Sequence, residues 1–373
     1  MPSEVFFANL RSRTAKQSKS MKVKALFEKA GFSKIVTPED LVAVKLHFGE
    51  AGGDTYINPI FVRVAVDLVK KAGGKPFLTD TNTLYSGSRH NGVDHLATAS
   101  SHGFVPEVVG APVIIADGLM GENRRDVSLD GKGKYFEKAH IAGAIVEADG
   151  MVVLSHFKGH GMAGFGGAIK NLAMGCAPAA GKKDQHFTRI SVNEGKCVGC
   201  GECIEICPVK ALSFIETEKG RKATSDKEVC IGCGECITVC PMKALAMDWE
   251  EAGKEFLERM GEYAWAAVKD KKEKVCYINF LLNITPDCDC VPWSDTPVVP
   301  DIGILASWDP IALDQACYDL VTAQEGFKNS LLDCNYKAGE DKFVGLGRVD
   351  GRFQLQHGAQ LGMGNLEYKL IEI

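Results

Sequence analysis

No run in this 373-residue sequence approaches the roughly eighteen consecutive apolar residues of a membrane span. Nor is there an excess of basic charge. Lys and Arg number 43 against 48 Asp and Glu, a formal net charge of −5, and nothing in that balance points to nucleic acid as a partner. The opening MPSEVFFANLRSRTAKQSKS lacks an apolar core of signal-peptide length after a basic start. The expected location is therefore the cytoplasm, with no membrane and no nucleic acid among the partners. Core-forming residues are not lacking. Hydrophobic residues make up 45% of the chain, which excludes disorder and provides for two or three domains that fold without disulfides. The unusual number is 14 Cys. In a reducing compartment, cysteines in such number serve as metal ligands more often than as staples.

Eight of the fourteen fall in two similar segments, CVGCGECIEICPVKAL from Cys197 and CIGCGECITVCPMKAL from Cys230. Each reads C-x2-C-x2-C-x3-C-P, an internal duplication. Three cysteines on a tight loop can hold three irons of one cubane, and glycines let the backbone wrap closely. The fourth cysteine of each run ligates the other cluster in two-cluster ferredoxins. The spacing thus assigns Cys197, Cys200, Cys203 and Cys240 to one [4Fe–4S] cluster and Cys230, Cys233, Cys236 and Cys207 to a second. Zinc sites pair simpler two-cysteine knuckles and fit this spacing poorly. Residues 190–248 resemble bacterial two-cluster ferredoxins, with all eight ligands present.

Around this segment, short apolar runs alternate with helical patterns. LVAVKLHF (41–48), KPFLTD (75–80), APVIIAD (111–117) and GMVVLSHF (150–157) read as strands. Phe61, Val64, Ala65, Leu68 and Val69 give a helical stripe. After an amphipathic helix over 248–270, KVCYINFLLNI (274–284) and DIGILAS (301–307) read as buried strands. A helix then starts near Asp309, with Pro310 in its first turn and Leu313, Ala316, Cys317, Leu320 and Val321 on its apolar face. The expected fold class is α/β: a large layered domain over 1–189 and 250–373, with an inserted α+β ferredoxin-type domain over 190–249.

A second site is expected at LSHFKGHGMAGFGGAIKNLAMGCAPAAGKKDQH (154–186). If LSHFKGH continues the strand, Leu154, His156, Lys158 and His160 share a face. Imidazoles and an ammonium beside many glycines make poor core, and the glycines, Gly166 and Gly167 among them, admit a ligand to the backbone. Lys170 projects from the following helix, and His186 closes the segment. A G-x-G-x-x-G match at 159–164 has no acidic strand end to bind a ribose, which argues against a dinucleotide. Lys45 and His47 share a strand face, and Asp80 ends a strand where open α/β sheets place ligand groups. Cys288 and Cys290, in TPDCDCVPW, read as incidental thiols of an irregular loop, with metal binding or a redox dithiol as the alternatives. Cys317 reads as core packing, and Cys176, Cys276 and Cys334 have no evident partners. Six basic residues between Arg11 and Lys24 read as a solvated face or a dock for an acidic electron-transfer partner.

Two resemblances go with these residues. VKLHFGE (44–50), FLTDTNTLYSG (77–87), SHFKGHGMAGFGGAIKNLAMGC (155–176) and DIGILASWDPIALDQACYDLV (301–321) resemble an uncharacterised iron–sulfur family, DUF362. HGMAGFGGAIK (160–170) is similar to the site of nickel-pincer lactate racemases. That likeness implies a cofactor-bearing lysine at Lys170 and histidines at His160 and His186 as acid–base groups or a metal ligand.

The expected function is a cytoplasmic iron–sulfur oxidoreductase. Its two [4Fe–4S] clusters relay electrons between a redox partner protein or electron carrier and a pocket of His156, His160, Lys170 and His186, with Lys45, His47 and Asp80 nearby. The pocket's cationic character suits an anionic small-molecule substrate. Two alternatives stay open: an electron-transfer module without its own substrate, and a pincer-type isomerase or cofactor enzyme with an accessory ferredoxin domain.

Overall fold

The structure is a computed structural model and describes residues 2–85, 87–186, 189–232, 235–247, 249–271, 273–347 and 349–373. The fold is α/β. Its centre is an eight-stranded sheet of β1 (Ser3–Asn9), β2 (Leu41–Lys45), β3 (Lys75–Asp80), β4 (Val113–Ile115), β5 (Gly150–His156), β6 (Val275–Leu281), β7 (Gly303–Ser307) and β8 (Tyr368–Glu372). Across the sheet the order is β8-β1-β7-β6-β5-β2-β3-β4. Only β7 runs against its neighbours, β1 and β6; every other pair is parallel.

The central strands are apolar on both faces, as a sheet covered on both sides requires. In β5, Met151 and Val153 enter one core and Val152 and Leu154 the other. In β6, Val275, Tyr277 and Leu281 face the first core while Cys276, Ile278 and Phe280 face the second. Helices α1 (Lys19–Lys29) and α2 (Pro59–Lys71) cover the second side. Helices α3 (Ala168–Ala173), α4 (Trp249–Val268), α5 (Pro310–Thr322) and α6 (Phe353–Leu361) cover the first.

Strands β2, β3 and β5 lie where the apolar runs placed them, β3 over the whole of its run and the other two shorter than theirs. The strand at 41 stops at Lys45, and the run at 111–117 yields only the three-residue β4. LSHFKGH is not one strand. β5 ends at His156, and Lys158–His160 forms a separate ribbon with Gly164–Gly166. Helix α2 is rotated from the expected stripe. Val62, Ala65, Val66, Leu68 and Val69 are buried, and Phe61 and Val64 only half-buried. Helix α5 begins as expected, with the Asp309 carboxylate accepting the Ile311 and Ala312 N–H groups at 2.9 and 3.0 Å.

Between Ile190 and Met247 the chain leaves the large sheet. Ile190–Val192 pairs antiparallel with Leu245–Met247, which draws the ends of the segment together, and Leu212–Thr217 forms a hairpin with Gly220–Ser225. Among the described residues, no helix is long and apolar enough to cross a membrane.

One buried contact fixes the helix that bears Lys170. Asp314, on α5, accepts the N–H groups of Ala168 and Ile169 at 2.8 and 2.9 Å, at the start of α3, and Asn279 Nδ2 at 2.6 Å. Gly167 makes room for it, since a Cβ there would meet Asp314 Oδ1 at 2.4 Å. Replacing Asp314 by Ala strips a buried helix start of its acceptor and should cost about 2–4 kcal/mol, read as a lowered urea midpoint.

Candidate functional site

In the sheet order β6-β5-β2-β3, the chain runs outward from β2 to β3, while β5 is added on the other side of β2. The carboxyl ends of β2, β3 and β5 therefore flank a reversal of strand order, where open α/β sheets bind ligands. A cavity of about 130 Å³ opens there. It is lined by His47 beyond β2, Asp80 at the end of β3, His156 at the end of β5, and Lys158, His160, Gly166, Gly167, Lys170 and His186 from the Gly-rich segment. The non-cysteine residues expected to form the pocket thus meet in one cavity, with one exception. Lys45 does not line it: wholly buried behind the wall, its Nζ donates to Asp80 Oδ1 at 3.0 Å and Asn171 Oδ1 at 2.6 Å. A lysine on a central strand reaches back under the sheet end instead of into the opening, so its role is to position Asp80.

Further wall residues come from loops whose partners are far away in sequence: Arg89, Tyr85, Lys182, Cys288 and Cys290. Arg89 donates to Glu50 Oε2 at 3.0 Å and Tyr85 Oη at 2.6 Å, and lies 3.8 Å from Asp80 Oδ2. Burial would raise the Asp80 pKa, but Lys45 foremost, with Arg89, holds it well below the usual carboxylate range. Burial, reinforced by Arg89, pushes His47 down, so this imidazole is neutral, and its Nδ1 accepts the Gly49 N–H at 2.9 Å. Burial, with Lys170 and Lys182, likewise pushes His186 down to about 4. Lys182 is pushed down to about 8 by burial and donates to Thr81 and Ala177.

His156 is an anchor. Its Nδ1 lies 2.9 Å from both Asp289 carboxylate oxygens, and its Nε2 faces the carbonyls of Leu282 and Asn283 at 2.8 and 3.0 Å. Both nitrogens are committed to protein oxygens. Lys158 pairs with Asp289 at 3.1 Å. Burial opposes charge on each partner, yet Asp289 raises the Lys158 pKa, while His156 and Lys158 hold Asp289 well below the usual range.

This anchoring holds Cys288 and Cys290 against the cavity. The Cys290 thiol hydrogen-bonds to the Cys288 sulfur, and Lys170 Nζ lies 3.7 Å from Cys288 Sγ. That hydrogen bond, then Lys170 and Lys158, hold Cys288 well below an ordinary thiol against the opposing effect of burial. The same hydrogen bond and burial push Cys290 up. Lys170 and Lys158 thus favour the thiolate form at Cys288, with Cys290 as the neighbouring thiol. His160, Cys288 and Cys290 also bring one ligand atom each within 4.8 Å of one another, a grouping geometrically suited to a thiophilic ion.

The cysteines of the 190–247 segment line two separate cavities. One is bounded by Cys197, Cys200, Cys203 and Cys240. The other is bounded by Cys207, Cys230 and Cys236, while Cys233 lies outside the described residues. The two repeats match in local bonding. Cys207 Sγ accepts the Ala211 N–H and Cys240 Sγ the Ala244 N–H, both at 3.2 Å. The second cavity's loop meets the large cavity, since the His186 ring hydrogen-bonds to the backbone at Gly232.

Residues 42–319 match the family described as Domain of unknown function (DUF362). The chain belongs to this family. No curated protein matches it. Among solved structures, the lactate racemase apoprotein from Thermoanaerobacterium thermosaccharolyticum is similar at 14% identity and a TM-score of 0.39, over 74% of this chain and 50% of that one. A Thermotoga maritima protein is similar at 8% identity and a TM-score of 0.36, over 72% and 52%. The chain spans about half the length of each.

If Cys288 is a thiolate at neutral pH, its alkylation by iodoacetamide should be nearly flat between pH 7 and 9. An ordinary thiol below its pKa gains about tenfold per unit. Lys170→Met should restore part of that slope, with rates followed by peptide mass spectrometry.

Proposed function

We propose that this DUF362 chain is an iron–sulfur oxidoreductase, in which a ferredoxin-type domain over 190–249 holds two [4Fe–4S] clusters that exchange electrons with a ligand in the cavity at the ends of β2, β3 and β5. The observation that carries this reading is the sorting of cysteines. Each cavity in the segment takes cysteines from one repeat plus the fourth cysteine of the other, the crossed pattern of two-cluster ferredoxins. The donor set fits the group: each wall is otherwise largely apolar, and N–H groups from Ala211, Ala223, Gly232 and Ala244 point at cysteine sulfurs. Hydrogen bonds of that kind tune cluster potential.

When bound, such clusters supply electrons one at a time. The chain's own residues do the rest. Cys200 is exposed, as are Val198 and Met242 beside it, so the first site faces an external carrier. The second abuts the large cavity through His186. Lys170 presents its charge to an anionic substrate, Lys158 and Arg89 hold the wall through their carboxylate partners, and the neutral imidazole of His186 accepts or passes a proton.

Anaerobic purification should give about eight irons and eight sulfides per chain. Cys200→Ser and Cys240→Ser should erase the same cluster signal in the electron paramagnetic resonance of reduced protein, and Cys207→Ser and Cys230→Ser the other. Loss of one signal by both Cys240→Ser and Cys230→Ser would sink the crossed assignment.

A further inference from the structure

The loop at Cys288 is held at almost every residue. Val291 N–H bonds to the Cys288 carbonyl and closes a turn, Tyr85 Oη donates to the Cys290 carbonyl at 3.0 Å, and the Asp289 carbonyl accepts the Glu50 N–H at 2.9 Å. Incidental thiols would need no such anchoring. Two cysteines two residues apart in one turn fall within the Cα separation of roughly 4.4–6.8 Å that a disulfide spans. Their sulfurs already lie within 4.8 Å of each other.

The histidine beside them decides between an ion and a redox pair. His160 Nδ1 accepts the N–H groups of Met162 and Ala163 at 3.2 and 3.0 Å. A neutral ring that accepts at Nδ1 carries its proton on Nε2, leaving no lone pair for a metal. Two sulfurs without that third ligand are better placed to react with each other.

We propose that Cys288 and Cys290 are a redox dithiol that reduces a small anionic disulfide in the cavity and is itself re-reduced by the two clusters. The first half stands on the pair's own geometry; the second rests on the cluster reading above. The Cys288 thiolate attacks one sulfur of the substrate, forming a mixed disulfide and expelling the first thiolate. Cys290 loses its proton and attacks Cys288 Sγ, expelling the second thiolate and closing the Cys288–Cys290 disulfide. Two electrons have then passed to the substrate. Two electrons, one from each reduced cluster, and one proton restore thiolate and thiol. The pair needs two electrons, and two one-electron carriers supply that number. Lys170 both stabilises the attacking sulfur and meets the substrate's charge.

The test uses anaerobic, cluster-loaded full-length protein with dithiodiglycolate, a small dianionic disulfide, and the neutral 2-hydroxyethyl disulfide. Peptide mapping after alkylation should show a Cys288–Cys290 disulfide in the wild type, formed faster with the dianion. Cys290→Ser should stop at a mixed disulfide on Cys288, and Cys288→Ser should give no adduct at position 290. Prereduced clusters should then be reoxidised by two electrons per chain in the presence of the preformed disulfide, regaining their visible absorbance, but not in Cys288→Ser. The proposal is overturned if no 288–290 disulfide forms, if both cysteines react independently, or if both sulfurs are found on one bound divalent ion. A 288–290 disulfide that forms with dithiodiglycolate but leaves prereduced clusters reduced would overturn the re-reduction step and leave the dithiol standing, and a chain that takes up no iron on reconstitution would sink the cluster reading itself.

Discussion

One carboxylate, that of Asp289, holds the site together. It is buried between His156 at the end of β5 and Lys158 on the next ribbon, and it also accepts a hydrogen bond from Thr55. Its own flanks are the two cysteines, so anchoring it orients both sulfurs. A buried ion pair of this kind adds little to stability, but losing one partner strands the other's charge in a low-dielectric wall. The position is therefore tightly constrained, and the cavity inherits that constraint.

Around this anchor the cations divide by task. Lys45 and Arg89 have carboxylate partners, and Lys158 is tied to Asp289. Lys170 approaches a sulfur, and its helix is set by Asp314 through backbone contacts. The wall thus separates charges that hold the frame from a charge aimed into the opening. The neutral imidazoles of His47 and His186 add proton-handling capacity without adding positive charge.

Much of this was legible in the sequence because it depends on local pattern. Apolar runs marked β2, β3, β5, β6 and β7, and the Asp309-Pro310 start of α5 was readable from capping chemistry. The Gly-rich His and Lys stretch announced a pocket because it could not be core. Other parts were hidden for a different reason. Strands β1 and β8 pair with each other from opposite ends of the chain; β1 has an apolar run of only four residues, and β8 lies at the sheet edge with charged residues in its sequence. Arg89 and Asp289 look like loop polar residues until Glu50, His156 and Lys158 are seen beside them. Cys288 and Cys290 are the sharpest case: spacing alone could not tell idle thiols from aligned ones, because the alignment comes from groups more than one hundred residues away.

The duplicated cysteine segment carries one more implication. Its two halves are nearly identical in spacing and bonding, so by itself it has no front or back. Attachment to the large sheet breaks that equivalence: one half presents Cys200 to solvent, and the other rests its loop against His186. The two halves of the repeat thus end in unlike surroundings, one at the surface and one beside the sheet, and that difference was conferred by where the segment was joined.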